Sequence, residues 1–363
     1  DLTYIISGVF SFLGEAYMDL KTAKPFKTYE EQIELLKSRG LTIKDECFAR
    51  HVLQYMSYYD LINGYKNVLM PNDKFIRGVT IEYLYQLYII DKRFQSLSIK
   101  YSMIIENICK TNLAYILSED FGIEQLQYLD QRNYKSAASD LLFTDDIQDK
   151  ISNLTSNENL GNPCKHYKKK YNDIPPWILF KNIPFSIATN FVKFLKRPQK
   201  EKFVNALLKT DELDYSNKVC FITPALEIIR KFRNVAAHNL NFVMFRVDSI
   251  NYPASLYATL MPDLIRTIDG KIYQQDRDSL KGLYNYILSV LILLPSYSLK
   301  SNFIDDFRLC IYNPYNKADN DKNLLIFEDY IRLTQLPKNI LKRLNDYYIT
   351  INLSLIHISE RAG

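Results

Sequence analysis

The chain has 363 residues, 47% of them hydrophobic, with only 10 glycines and 13 prolines against 28 tyrosines and 20 phenylalanines, which is enough to bury a large core and points to an all-α protein. The net charge of +5 permits a polyanionic partner without demanding one. Five scattered cysteines (Cys47, Cys109, Cys164, Cys220 and Cys310) exclude a CxxC metal or redox pair and fit a reducing cytoplasm.

Residues 1–17 differ in pattern from the rest of the chain, and Met18 sits just ahead of the organised region. TYIISGVFSFLG has no basic leader and no convincing cleavage site, so it is not read as a signal peptide. Residues 18–75 form an N-terminal helical hairpin. Its first helix, KTYEEQIELLKSRG, opens on a Thr28/Glu31 capping box and stops at Gly40. The second runs from about Lys44 to Tyr59 and is followed by an Asn63-Gly64 turn.

Thr80 to Ser118 is the longest periodic segment, with apolar residues recurring every three or four positions from Leu84 to Ile108. Asp91, Arg93 and Glu106 punctuate it, and surface or intrahelical ion pairs are their plain reading. Residues 131–173 form a polar and basic insert. At its end Lys165, His166, Lys168, Lys169 and Lys170 interleave with Tyr167 and Tyr171, a composition suited to phosphate contact and base stacking, or equally to a solvated loop. Cys164 and His166 lack partners at metal-binding spacing. Trp177 to Arg197 reads as two helical pieces split at Pro184, which starts the second at its first position. Lys193, Lys196 and Arg197 add a second basic run, and a short helix at 200–208 comes next.

The stretch from about Phe221 to Leu240 reads as one amphipathic helix. Ile222, Ala225, Ile228, Ile229, Phe232, Val235 and Ala236 fill one arc. Counting roughly 100° per residue from Arg233, Asn234 lies near 100° and His238 near 140°, with Arg230, Glu227 and Lys231 on the same side. An imidazole can exchange a proton near neutral pH, a guanidinium can stabilise charge building on phosphorus, and an amide can position either. The spacing alone is weak evidence. Four His and 15 Arg supply about half a match by chance, and a solvated face with a surface histidine competes.

Further helices are expected at roughly 254–268, 275–294, 297–310 and 337–347, with a polar loop from Asn316 to Asn323. The apolar run from Tyr284 to Leu294 is too short to cross a bilayer. Residues 352–363 lack periodicity and read as a tail.

In order, KTYEEQIELLKSRGLTIKDE, YDLINGYK, the long segment ending in SEDFG, IPPWILFKNIPFS and RNVAAHN resemble the Abi-like family of bacterial abortive-infection proteins, the AbiD/AbiF group of the HEPN superfamily. The resemblance spans roughly Lys24 to Asn241. Phe185-Ser186 departs from the family's aromatic-glycine pair. The resemblance implies a helical HEPN core at 76–130 and 174–300, with added C-terminal helices at 301–351. It places Arg233, Asn234 and His238 in an RNase active site. Asp91, Arg93 and Glu106 fall on the helix that carries further motif residues, with Arg230 and Glu227 in support. It implies a toxin that cuts single-stranded RNA without metal or other cofactor, a homodimer with facing Arg-His pairs, and by analogy a restraining non-coding RNA. Lys165, His166, Tyr167, Lys168, Lys169, Lys170, Tyr171, Lys193, Lys196, Arg197 and Lys231 are the expected RNA contacts. A non-catalytic RNA-binding protein and a protein–protein regulator are the rival readings.

Overall fold

The computed structural model describes residues 25–135, 163–239, 242–312 and 320–362, with the isolated positions 149 and 153. Residues 1–17, most of the expected insert at 131–173 and residues 313–319, which include 316–319 of the expected polar loop, lie outside the described residues. The described chain is all-α, apart from one two-stranded hairpin.

The N-terminal hairpin forms as its punctuation requires. Helix α1 (Tyr29–Ser38) carries the capping box: Glu31 N donates to Thr28 Oγ1 (3.3 Å) and Thr28 N to Glu31 Oε2 (2.8 Å). Gly40 then turns the chain at φ +86°. Helix α2 (Glu46–Tyr55) is shorter than expected because Met56 turns extended, and Ser57 caps a separate α3 (Tyr58–Asn63) through Asp60 N (3.0 Å). A single turn, α4 (Lys66–Leu69), comes after it.

Helix α5 (Ile81–Phe121) runs 41 residues, about 60 Å. Thr80 caps its start by accepting from Tyr83 N (3.1 Å), and Gly122 at φ +96° ends it. Its apolar residues are buried nearly all round, so it serves as an axle rather than a surface helix. After α6 (Gln125–Tyr128) come α7 (Pro163–Tyr171), α8 (Pro176–Asn182), α9 (Phe185–Phe194), α10 (Arg197–Leu207) and α11 (Tyr215–Ala237). Pro184 precedes α9 as its cap rather than entering its first turn. Helices α8, α9, α10 and α11 pack directly on α5.

Beyond α11 the expected helices are cut shorter. Helix α12 (Ala254–Leu260) gives way to strands β1 (Thr267–Ile268) and β2 (Lys271–Ile272), joined by Asp269-Gly270. Both turn residues have positive φ, +51° and +71°, the geometry that an Asp-Gly pair favours. Helices α13 (Gln274–Ser279) and α14 (Leu283–Leu293) replace one expected helix. Gly282 separates them, where an added Cβ would meet Thr334 O at 3.1 Å. Every residue of α14 is buried, so the longest apolar run is a core helix. Among the described residues no helix is long and apolar enough to cross a membrane. Helix α15 (Tyr297–Leu309) is as expected, whereas α16 (Asn320–Thr334) has no counterpart among the helices expected from periodicity. Helix α17 (Ile340–Ala362) continues through the stretch read as a tail. Both α15 and α16 pack on α5, so the elements after 301 share the axle with those before it.

Candidate functional site

Helix α11 starts earlier than the periodicity suggests. Asp214 caps it through Asn217 N (2.8 Å), and Pro224 lies within it. All seven residues assigned to its apolar arc are buried, held between α5 and α14. Burial of that arc sets the helix's rotation and hence the direction of its polar side.

Arg233 projects toward α5. Its side chain is 38% exposed; Nη1 donates to Asn234 Oδ1 (3.2 Å), and Nη2 lies 3.9 Å from Glu106 Oε2. Glu106 is itself anchored by Lys110 Nζ (2.6 Å), which also donates to Ile183 O (2.7 Å). Two weak contacts hold the guanidinium while leaving donors free, so it can still receive an anion. It stands in the wall of an open cavity of about 710 Å³ that also takes in Met103, Lys110, Tyr115, Trp177 and Lys181.

His238 is not within the helix but is its C-terminal cap (φ −94°, ψ 9°), and its N donates to Asn234 O (3.0 Å). Its side chain is exposed, and no side chain among the described residues bonds the imidazole. It does not line the Arg233 cavity. Of the two groups, therefore, only Arg233 lines this cavity.

Asn239 terminates the helix in the left-handed region (φ +52°), which asparagine tolerates. Lys92 Nζ donates to its Oδ1, and its Nδ2 donates to Asp60 Oδ2 (3.1 Å). The backbone beside His238 is thus clamped to α3 and α5. The final Asn of RNVAAHN stands in the sequence as a helix-stop signal and carried no assigned role there.

The model of the Abi-like protein family matches residues 51–243, more than half of the chain. The chain belongs to the Abi-like protein family. An abortive-infection role is what that family suggests. The matched span takes in α3, α5 and α7 to α11, hence Arg233, His238 and the clamp around Asn239. No curated protein and no solved structure matches the chain.

The other expected site residues of this Abi-like chain divide into groups. Glu106 reaches Arg233. Asp91 lies 15 residues away on α5, about 22 Å along the axis. It is buried, accepting from Gln95 Nε2 (2.7 Å) and Tyr330 OH (3.1 Å), and so ties α5 to α16. Arg93 donates to Cys310 O (3.3 Å) beyond the end of α15. Neither side chain joins the Arg233 cavity, because α5 presents those positions to the C-terminal helices. Arg230 and Glu227 pair with each other (Nε to Oε2, 3.0 Å). Burial works against the Glu227 charge, but Arg230, with Lys193 and Lys231 nearby, holds its carboxyl below the usual range.

The expected RNA contacts occupy more than one place. Helix α7 is basic and exposed, and Tyr167 and Tyr171 pack at 5.3 Å between ring centres with His166 against Tyr167. Tyr167, Lys168 and Tyr171 line a second cavity of about 700 Å³. Lys231 donates to Ser249 Oγ (3.0 Å), Lys196 to Arg132 O, and Arg197 covers the Tyr215 ring at 5.1 Å. Lys193, Lys196, Arg197 and Lys231 line neither cavity. Among the described residues no group of three or more His, Cys, Asp or Glu side chains is placed to hold a metal ion. Cys164 is buried with its Sγ toward Ile178 O. The five cysteines form no disulfide among the described residues.

Asp91 makes a prediction about stability. Burial pushes its carboxyl up to about 6 from the ordinary 3.8, against the bonds from Gln95 and Tyr330 and the charge of Lys92. Unfolded chains release this proton first, so between about pH 4 and pH 6 the unfolded state binds fewer protons than the native one. Stability therefore falls as pH rises through that window, by about 3 kcal/mol from this group. Asp276, whose carboxyl is held low, acts in the opposite sense on acidification. Urea denaturation of the wild type and of Asp91→Asn across this range isolates the contribution. The difference between them should change with pH from 4 to 6 and be flat above; a constant difference would refute it.

Proposed function

We propose that the protein is a metal-independent endoribonuclease of the HEPN type, acting on single-stranded RNA as the effector of an abortive-infection system. The observation that carries this reading is Arg233. It is a half-exposed guanidinium in a cavity wall, held by Asn234 and Glu106 with donors to spare, five residues before an exposed histidine that has no side-chain partner among the described residues. In the reaction the RNA 2′-oxygen attacks phosphorus and the 5′-oxygen leaves. One proton passes from the 2′-hydroxyl to a base, and one is delivered to the departing oxygen. The products are a 2′,3′-cyclic phosphate and a 5′-hydroxyl. His238 serves proton transfer, Arg233 stabilises the phosphorane charge, and Asn234 positions Arg233. One chain carries one Arg-His array, so the complete site is assigned to a homodimer in which two such pairs face each other.

The test is product chemistry. End-labelled single-stranded RNA incubated with the protein in excess EDTA should yield cyclic-phosphate ends, with activity per molecule falling when the dimer is diluted apart. Products bearing 5′-phosphates, or complete loss of activity in EDTA, would overturn the reading.

The exposed basic-aromatic face of α7 favours a second reading, a non-catalytic protein that grips a structured RNA. It predicts binding that weakens steeply with salt and leaves the RNA intact.

A further inference from the structure

Among the described residues the α7 cavity and the Arg233 cavity share one, Trp177. Pro175 and Pro176 set the start of α8 just before it, and Leu179 and Phe180 are buried behind it, so the indole is held outward on a rigid first turn. It is 47% exposed. Large indoles are usually well covered, and an uncovered one on a fixed support is a recognition feature.

On one side of Trp177 lies the α7 cavity, where Tyr167 and Tyr171 pack as a pair and Lys168 stands with the carboxylates Glu124 and Asp173. On the other lies the Arg233 cavity, where Lys110, Lys181 and Arg233 outnumber the one carboxylate, Glu106. Tyr115 stands exposed at that cavity's wall. Each cavity is ligand-sized, within roughly 300–1,000 Å³. Aromatic faces in both cavities, with the cations gathered at the Arg233 end, suit a chain of flat bases joined by phosphates. A duplex hides its base faces and could not use them.

We propose that Trp177 is the stacking platform at the midpoint of a single-stranded RNA track, running from Tyr167 and Tyr171 on α7 across the indole to Arg233. Bases stack upstream on Tyr167 and Tyr171 and then on Trp177, and the strand delivers a phosphate to Arg233. The proposal rests on the nuclease reading for the chemistry at the Arg233 end, and stands without it as a binding site.

Trp177 is the single tryptophan of the chain, so its own fluorescence reports the contact. The probe is a fully 2′-O-methylated single-stranded oligoribonucleotide of about 12 nucleotides, within single-strand site sizes. It lacks the nucleophile and is not consumed. Titrating it into the whole protein should quench the fluorescence saturably, while a duplex of the same sequence should not. Trp177→Ala, checked for folding by circular dichroism, should weaken binding about 5- to 150-fold by an independent readout such as anisotropy, the range that stacking one base carries. Trp177→Phe should recover most of that loss, and Tyr171→Ala should weaken binding in the otherwise intact protein.

Probe binding with unchanged fluorescence, or with unchanged affinity in Trp177→Ala, would overturn the track. So would a spectral shift that tracks protein concentration instead of probe, which would make this face a contact between copies. Quenching by the probe in a protein that leaves natural RNA intact upholds the track and removes the nuclease reading. Cleavage without quenching does the reverse.

Discussion

Replacing His238 with alanine is expected to lower RNA cleavage by a factor of about 10² or more, the scale of a lost general acid or base. The exposed imidazole makes no side-chain bond among the described residues, so the change should leave the thermal midpoint nearly unchanged. Arg233→Ala is expected to cost a similar factor through loss of charge stabilisation at phosphorus. Arg233→Lys should recover little, because an ammonium cannot reproduce the planar fork that Asn234 and Glu106 orient. The two losses should be distinguishable. Removing Arg233 should also weaken the binding of the uncleavable probe, since the residue lies in the cavity wall, whereas removing His238 should not. Asn239→Ala tests the clamp: it leaves both groups in place but frees the backbone beside His238 from Lys92 and Asp60. It should lower turnover more than probe affinity. Single-turnover kinetics with each purified variant checks these outcomes, and His238→Ala cleaving as fast as wild type would refute the assignment.

Arg343→Met is expected to destabilise the protein by about 3–5 kcal/mol, the cost of leaving one member of a buried ion pair behind. Arg343 and Asp276 are both buried. Nη1 and Nη2 donate to the two Asp276 oxygens at 2.8 and 2.9 Å, Nε donates to Asn339 Oδ1 at 2.8 Å, and Nη1 also reaches Leu264 O at 2.5 Å. The pair joins α17 to α13 and to the segment before the hairpin. Burial alone would raise the Asp276 carboxyl, yet the bonds from Arg343 and Arg266 hold it low. Arg343→Lys keeps the charge but loses the two-pronged geometry, so it should recover only part. Arg343→Met combined with Asp276→Leu should be markedly more stable than Arg343→Met alone, because no charge is then stranded. Equilibrium urea unfolding of the three variants decides it, and a loss under about 1 kcal/mol for Arg343→Met would show that Arg266 suffices for Asp276.

Local rules were legible where one short segment contains both the signal and its answer. The Thr28/Glu31 box, the Gly40 stop and the buried arc of α11 need only neighbours in sequence. The hairpin at 267–272 was missed, because the apolar residues before it read as helix, although its Asp-Gly turn is a hairpin signal. Helix α16 was obscured by its polar opening, Asn-Asp-Lys-Asn. Its assignment depends on Phe327 and Tyr330 stacking against Phe94 of α5, with Tyr330 4.8 Å from that ring, a long-range contact. At the site, the Arg-Asn-x3-His array and its exposure could be read ahead. The inward placement of Asp91 and Arg93 could not, because nearly every face of α5 is covered and which helix covers which face is not a local property.

The order of the amino acids by itself determined an all-α chain, the rotation of α11 about its apolar arc and the presence of a guanidinium and an imidazole near its end. Periodicity and capping act over a few residues and need no partner from afar. Only the tertiary structure decided that Glu106 and not Asp91 meets Arg233, that Asn239 is clamped by Lys92 and Asp60, and that Trp177 divides two cavities. Those pairings join residues tens to hundreds of positions apart. They are set by which helix faces bury against each other, a choice made collectively by the whole core.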